Sequence, residues 1–185
     1  MTCEVCSQKL SHSLGRKPKF CGTKCRVKSH RGHHIPVELR QLPRWIRHRS
    51  KVPITAQGNL ASSTNPLTWT DYQTASAATV GDGLGFVLNG DGIVCIDLDH
   101  CYDGKPNAEA QALIDSLPET YTEVSPSGSG LHIWAYAALE KGRRFNRNGL
   151  SVEIYPNGRY LTVTGQAINR VPFAHIELDD ILAQS

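Results

Sequence analysis

An apolar stretch, Ile93-Val-Cys-Ile96, runs directly into two acids one residue apart, Asp97 and Asp99. Four consecutive apolar residues after Gly92 predict an interior strand. Side chains alternate faces along a strand, so Asp97 and Asp99 share one face. Two carboxylates on one face repel each other and lose hydration. A hard divalent cation with oxygen ligands, Mg²⁺ or Mn²⁺, relieves both costs. The pair therefore points to metal-assisted chemistry, above all on phosphates; the bland reading of a lone Asp-x-Asp is a loop or cap.

Charge is unevenly distributed behind a net value of +3. Residues 1–51 hold 13 lysines and arginines against two acids, a net +11, while the remainder holds 7 against 15, a net −8. A basic first third on an acidic body is the footprint of an arm that grips a polyanion. Lys17, Lys19, Lys24, Arg26, Lys28, Arg31, Arg44, Arg47 and Arg49 are the candidate phosphate contacts. Trp45, inside that basic run, is a candidate for stacking on a base or for a place in the core.

Cys3-x-x-Cys6 and Cys21-x-x-x-Cys25 have the spacing of a tetrahedral Zn²⁺ site. Four thiolates leave no open position, so the expected zinc is structural and would carry much of the folding energy of a short module. No stretch is long and apolar enough for a membrane span, and the N-terminus has no apolar signal region, so a cytoplasmic protein is expected. At 185 residues the chain can hold one ordinary domain and a small appendage. The division read from it is a zinc module over 1–34, a basic linker over 35–51 and a main domain over 52–185.

The main domain reads as α+β. Thr68–Ala78 looks helical, with Thr68 or Thr70 as cap, and Asn107–Leu117 looks like a helix stopped by Pro118. Gly85–Leu88 and Ile93–Leu98 look like a hairpin around Asn89-Gly-Asp-Gly92. Thr122–Val124 and Leu131–Tyr136 flank Ser125-Pro-Ser-Gly-Ser-Gly130. A second hairpin is expected from Leu150–Tyr155, Pro156-Asn-Gly158 and Arg159–Thr164, and a short helix over Leu178–Ala183.

Three stretches look functional together: Asp97-Leu-Asp99, Ser127-Gly-Ser-Gly-Leu-His132, and Val152-Glu-Ile154. Glu153 is an acid between two apolar residues in a strand-like run. If adjacent strands carry these motifs, Asp97, Asp99 and Glu153 can meet around one metal, with His132 entering from a neighbour. Ser127, Gly128, Ser129 and Gly130 form a turn whose backbone can come close to a phosphate. Counted from Asp97, an EF-hand would need glycine and an acid where Tyr102 and Ala108 stand, so that reading fails. No Gly-x-x-x-x-Gly-Lys-Ser/Thr occurs, so the chain has no P-loop motor of its own.

In order and type, these motifs resemble the prim-pol (DNA primase/polymerase) domains of the archaeo-eukaryotic primase superfamily, of the kind found in phages and plasmids. The resemblance covers roughly residues 52–170. The family's Asp-x-Asp matches Asp97-Leu-Asp99, its small-x-His matches Gly130-Leu-His132, and its third acid matches Glu153. It implies an RRM-like sheet carrying the motifs beside a smaller α/β unit. It also implies that Asp97, Asp99 and Glu153 hold two Mg²⁺ or Mn²⁺ ions and that His132 contacts the triphosphate of an NTP or dNTP. Arg159 is a weaker phosphate contact. The expected partner is single-stranded DNA, in a bacterial host's cytoplasm; many relatives carry a helicase-like region that this chain does not show, so either a separate replicative helicase acts with it or it is a minimal or degraded version. Two other readings remain open on the residues: a non-catalytic nucleic-acid-binding protein of the same fold, and a nucleotide-sugar transferase, which also uses Asp-x-Asp.

Overall fold

A computed structural model describes Gly22 and residues 34–183. The four cysteines of the expected zinc module and the basic residues Lys17, Lys19, Lys24, Arg26, Lys28 and Arg31 lie outside the described residues.

The described chain begins with a one-turn helix, α1 (Val37–Arg40), then β1 (Trp45–Arg49) and β2 (Val52–Ile54). A 3₁₀ turn (Pro66–Thr68) precedes α2 (Tyr72–Ala77). The cap of α2 is Asp71, whose carboxylate accepts the Thr74 N–H at 2.8 Å, rather than either threonine. There follow β3 (Gly83–Asn89), β4 (Ile93–Asp99) and α3 (Ala108–Asp115), the last capped by Asn107 on the Ala110 N–H at 2.9 Å. The remainder is β5 (Thr122–Val124), β6 (Leu131–Tyr136), β7 (Arg143–Arg147), β8 (Leu150–Tyr155), β9 (Asn157–Val163), β10 (Ala167–Asn169) and α4 (Asp179–Leu182). This is an α+β fold of two antiparallel sheets, ordered β2-β1-β3-β9 and β10-β5-β6-β4-β8-β7.

Both expected hairpins are corrected by this topology. β3 and β4 lie in different sheets, and so do β8 and β9. The Asn89–Gly92 and Pro156 segments are crossovers between sheets, held side by side by the Gly90 N–H on the Pro156 carbonyl at 2.9 Å. Turn chemistry at each corner is local, but β3 and β4 are each apolar on both faces and need two strand neighbours apiece. The hairpin that does form at this edge is β7–β8, turned by Asn148 and Gly149 at φ 52° and 87°. That is the backbone for which Asn-Gly is suited.

Residues 35–51, expected to be a linker, instead belong to the body. Ile35, Leu39, Trp45 and Ile46 are buried, and β1 pairs with both β2 and β3. Trp45 is fully buried, lies edge-on to Tyr72 and Phe86 at 5.1 and 5.2 Å, and donates its indole N–H to the Leu39 carbonyl at 3.0 Å. It is a core anchor, not a stacking platform. Arg44 is likewise withdrawn from any phosphate: it pairs with Asp91 at 2.7 Å, donates to Asn89 and sits 4.7 Å over the Phe86 ring. Arg47 donates to the Val80 carbonyl at 2.7 Å, and Arg49 is exposed.

The six-stranded sheet carries apolar clusters on both faces. Val94, Ile96 and Leu98 of β4 belong to the cluster that includes Ala110 and Leu113 of α3 and Ile181 of α4. Ile93 and Cys95 face the other way and join Trp134, Phe86, Leu88 and Trp45 between the sheets. The next residue on that second face is Asp97, so the inter-sheet core ends where the acids begin. Among the described residues no helix is long and apolar enough to cross a membrane.

Candidate active site

Strand register lines the ionisable groups up in one row. Asp97 on β4 is directly opposite His132 on β6 and, on its other side, directly opposite Glu153 on β8. His132 is in turn opposite Glu123 on β5, and Glu153 opposite Arg144 on β7. Directly opposed residues project from the same face with Cβ atoms about 5 Å apart. Five neighbouring strands thus present Glu123, His132, Asp97, Glu153 and Arg144 across the sheet, with Asp99 one step along. This is the convergence expected of Asp97, Asp99, His132 and Glu153. Glu123 is the residue that sequence reasoning misses, although Thr122-Glu-Val124 carries the same acid-in-a-strand signal that singles out Glu153.

The contacts are those of partly satisfied charges. His132, 3% exposed, places Nε2 3.5 Å from Asp97 Oδ1 and Nδ1 3.6 Å from Glu123 Oε1. Burial pushes against its charged form, but Glu123 and Asp97 outweigh this and hold its pKa above the ordinary value. Asp97 is also raised, first by burial and then, against the favourable His132, by the charges of Asp99 and Glu153. Glu153 accepts from Arg144 at 2.9 Å and from the Tyr155 hydroxyl at 2.6 Å. Burial and that carboxylate push the Tyr155 phenol up to about 12, so it remains a donor at neutral pH.

The row opens into a cleft of about 350 Å³ between the two sheets, lined on one side by Asp97, Asp99, His132 and Glu153. The opposite wall comes from the four-stranded sheet and includes His48, Lys51, Tyr160 and Thr162. His48 and Tyr160 stack at 6.2 Å, over a strand stripped of side chains at Gly83 and Gly85. A Cβ on either glycine would come within 2.6 Å of the His48 or the Tyr160 ring. Lys51 reaches the cleft from the β1–β2 turn, where Ser50 and Lys51 both have left-handed backbones (φ 48° and 67°). That costly turn is pinned by Asp82 on the Ser50 N–H at 2.6 Å and by the Tyr160 hydroxyl on the Lys51 carbonyl at 2.6 Å. No motif marks His48, Lys51 or Tyr160 in the sequence; only the pairing of a second sheet brings them here.

Of the serine-glycine turn, Ser125, Pro126 and Ser127 line the cleft. The Gly128 and Ser129 N–H groups are committed to Ser125 and Ser127, and three serine hydroxyls run in a chain at 3.0 and 3.1 Å. Gly130 serves packing: a Cβ there would meet the Leu98 carbonyl at 2.5 Å, beside the acids. Arg159 lies at the cleft with its guanidinium 4.2 Å over the Tyr155 ring. Cys95 and Cys101, which flank the acids in sequence, are buried free thiols.

Oxygen donors on one face, with the Asp97 carboxylate disfavoured by burial and by its neighbours' charge, are of the type a hard divalent cation takes. Among the described residues, no three His, Cys, Asp or Glu side chains are already gathered as a cage. Arg144, 74% exposed, meanwhile neutralises Glu153. The residues fit such an ion in donor type.

The family model described as bifunctional DNA primase/polymerase, N-terminal (Prim-Pol), matches residues 27–177. A DNA primase-polymerase of Nitratiruptor phage NrS-1 is 39% identical over 136 residues, which cover 68% of this chain and 19% of that protein. The chain thus spans about a fifth of the length of the curated relative it matches.

Proposed function

Because this chain belongs to the bifunctional DNA primase/polymerase (Prim-Pol) family, we propose that it is a nucleotidyltransferase that makes or extends primers on single-stranded DNA. The observation that carries the reading is the register itself: Asp97 flanked by His132 and Glu153 on adjacent strands, at the floor of one cleft. The phage relative's name supports the same activity. The RRM-like character of the core and a separate helicase remain implications of the resemblance, and nothing observed favours the helicase.

Asp97, Asp99 and Glu153 would hold Mg²⁺ or Mn²⁺. Two such ions, when bound, supply acidification of the attacking 3′-hydroxyl and neutralisation of the leaving pyrophosphate. His132 presents Nε2 at the acids' edge of the cleft, where a charged imidazole would donate to a triphosphate oxygen of the incoming NTP or dNTP. The Ser127 hydroxyl and the cations of Lys51 and Arg159 line the same cleft and would complete the phosphate grip. Stacked His48 and Tyr160 offer a flat wall for a base or sugar. The basic residues before 34, with Arg49, would hold template, and Cys3, Cys6, Cys21 and Cys25 a structural Zn²⁺. Arg44 is left out of this role.

Nucleotide incorporation on primed and unprimed single-stranded DNA tests the proposal. Incorporation by the wild type with Mg²⁺ or Mn²⁺, and background levels for folded Asp97→Ala and Asp99→Ala, are expected. No incorporation on either template, or near-normal rates in both variants, would overturn it. Binding of DNA without incorporation would favour the non-catalytic reading.

A further inference from the structure

We infer that Glu123 is a positioning residue for His132: a buried carboxylate on the next strand that orients the imidazole, so that Nδ1 faces the protein and Nε2 faces the cleft. This rests on the reading above, in which His132 contacts the nucleotide.

Glu123 is 0% exposed and is not among the residues that line the cleft, so it cannot touch a substrate there. It is nevertheless held rigidly. Oε2 accepts the Gly165 N–H at 2.7 Å and the Tyr121 hydroxyl at 3.0 Å, and Oε1 the Thr164 N–H at 3.2 Å. A buried carboxylate is tolerated when it is hydrogen-bonded and faces a positive or polarisable partner. Glu123 faces His132: the two are directly opposed on β5 and β6, with Oε1 3.6 Å from Nδ1. That is an ion-pair separation, longer than a hydrogen bond, and among the described residues Nδ1 has no hydrogen-bond partner. Asp97 stands on the ring's other edge, 3.5 Å from Nε2. An imidazole between two acids is fixed in both orientation and proton placement by the one that cannot move. Glu123, pinned by three donors, is that one; Asp97 lies in the open cleft, where a cation would draw its charge away. A carboxylate behind a functional histidine commonly has this part.

The competing role is mere bracing, in which Glu123 only ties β5 to the segment after β9 through Thr164 and Gly165. A double-mutant cycle on the full chain distinguishes the two. Glu123→Gln keeps an oxygen for the Gly165 amide and removes the charge. The expected result is a fall in kcat/KM for nucleotide of about 10–100-fold, with little further loss when it is added to His132→Ala. Independent, multiplying losses would overturn positioning. A second measurement needs no activity: the ¹⁵N spectrum of the wild-type imidazoles. Taken at a pH where the imidazole is neutral, the spectrum is expected to place the His132 proton on Nδ1, and a proton on Nε2 would overturn the inference even if Glu123→Gln fails to fold. Absence of incorporation by the wild type would instead remove the proposed function, and the spectrum would then decide the role of Glu123 alone.

Discussion

At the scale of single residues, the candidate site is a set of charges that the fold leaves only partly satisfied. Asp97 is raised by burial and by two nearby acids, and only His132 and Lys51 act the other way. Anything that binds the native acids stabilises the fold by mass action, about 2.7 kcal/mol at a hundredfold excess over Kd. Mg²⁺ or Mn²⁺ is therefore expected to raise the melting temperature of the wild type by several degrees and that of Asp97→Ala far less. Calorimetry with and without the ion checks this, and equal shifts in both proteins would remove the cation from these acids. His132→Ala is expected to raise the nucleotide KM about tenfold or more, the scale of one charge-assisted hydrogen bond. The Kd for single-stranded DNA should hardly change, because His132 follows a glycine-rich turn and is not part of the basic run in the sequence. A loss confined to DNA binding would move His132 out of the nucleotide site.

Elements explain how those residues meet. β4 passes through two environments: its first residues are buried between the sheets, and the same face then opens into the cleft at Asp97. β1 does the corresponding work for the other wall, and Trp45 anchors it. Trp45→Ala should cost about 3–5 kcal/mol of stability, as for other large buried aromatics. Urea unfolding measures the loss, and a variant of unchanged stability but weaker DNA binding would restore the stacking role. The β1–β2 turn carries a different signature. Lys51 keeps a left-handed backbone that glycine adopts freely. Lys51→Gly is thus expected to leave stability equal or higher while weakening nucleotide binding, since the turn is relieved and the cation is removed. Lower stability with unchanged KM would assign Lys51 to the turn alone.

For the whole molecule, charge and chemistry are separated along the chain. The +11 of residues 1–51 sits largely before the first described element of the body, while every residue of the acidic row lies after 120 or on β4. A variant lacking residues 1–33 retains all the described elements. It is expected to contain no zinc, to bind single-stranded DNA more weakly with a shallower salt dependence, and to extend a supplied primer better than it starts one. Removing one lysine or arginine from a phosphate should flatten the slope of log K against log salt by about 0.7. Unchanged affinity and priming would leave the first 33 residues as a docking element for a partner.

Asp97, Asp99, His132 and Glu153 are legible in the sequence because their signals are local. Each is a polar residue in an apolar strand or just after a turn, and alternation alone assigns its face. The helix that begins beside Asn107, the span of β6 and the α+β class are legible for the same reason. Which strands adjoin is not a local property. Asn89-Gly-Asp-Gly92 can turn a hairpin or a corner with the same backbone, and only burial on both faces of β3 and β4 sends them to different sheets. That sheet change creates the cleft, brings His48, Lys51 and Tyr160 opposite the acids, and draws Arg44 and Trp45 into the core. Glu123 falls between the two cases. Its strand is visible in Thr122-Glu-Val124, but its place behind His132 depends on the β5–β6 register and on amides more than forty residues away at Thr164 and Gly165. Local pattern marks which residues are candidates for chemistry. Which of them share a site is set by long-range strand pairing, because that pairing is chosen by burying apolar faces, and no short stretch of sequence encodes the choice.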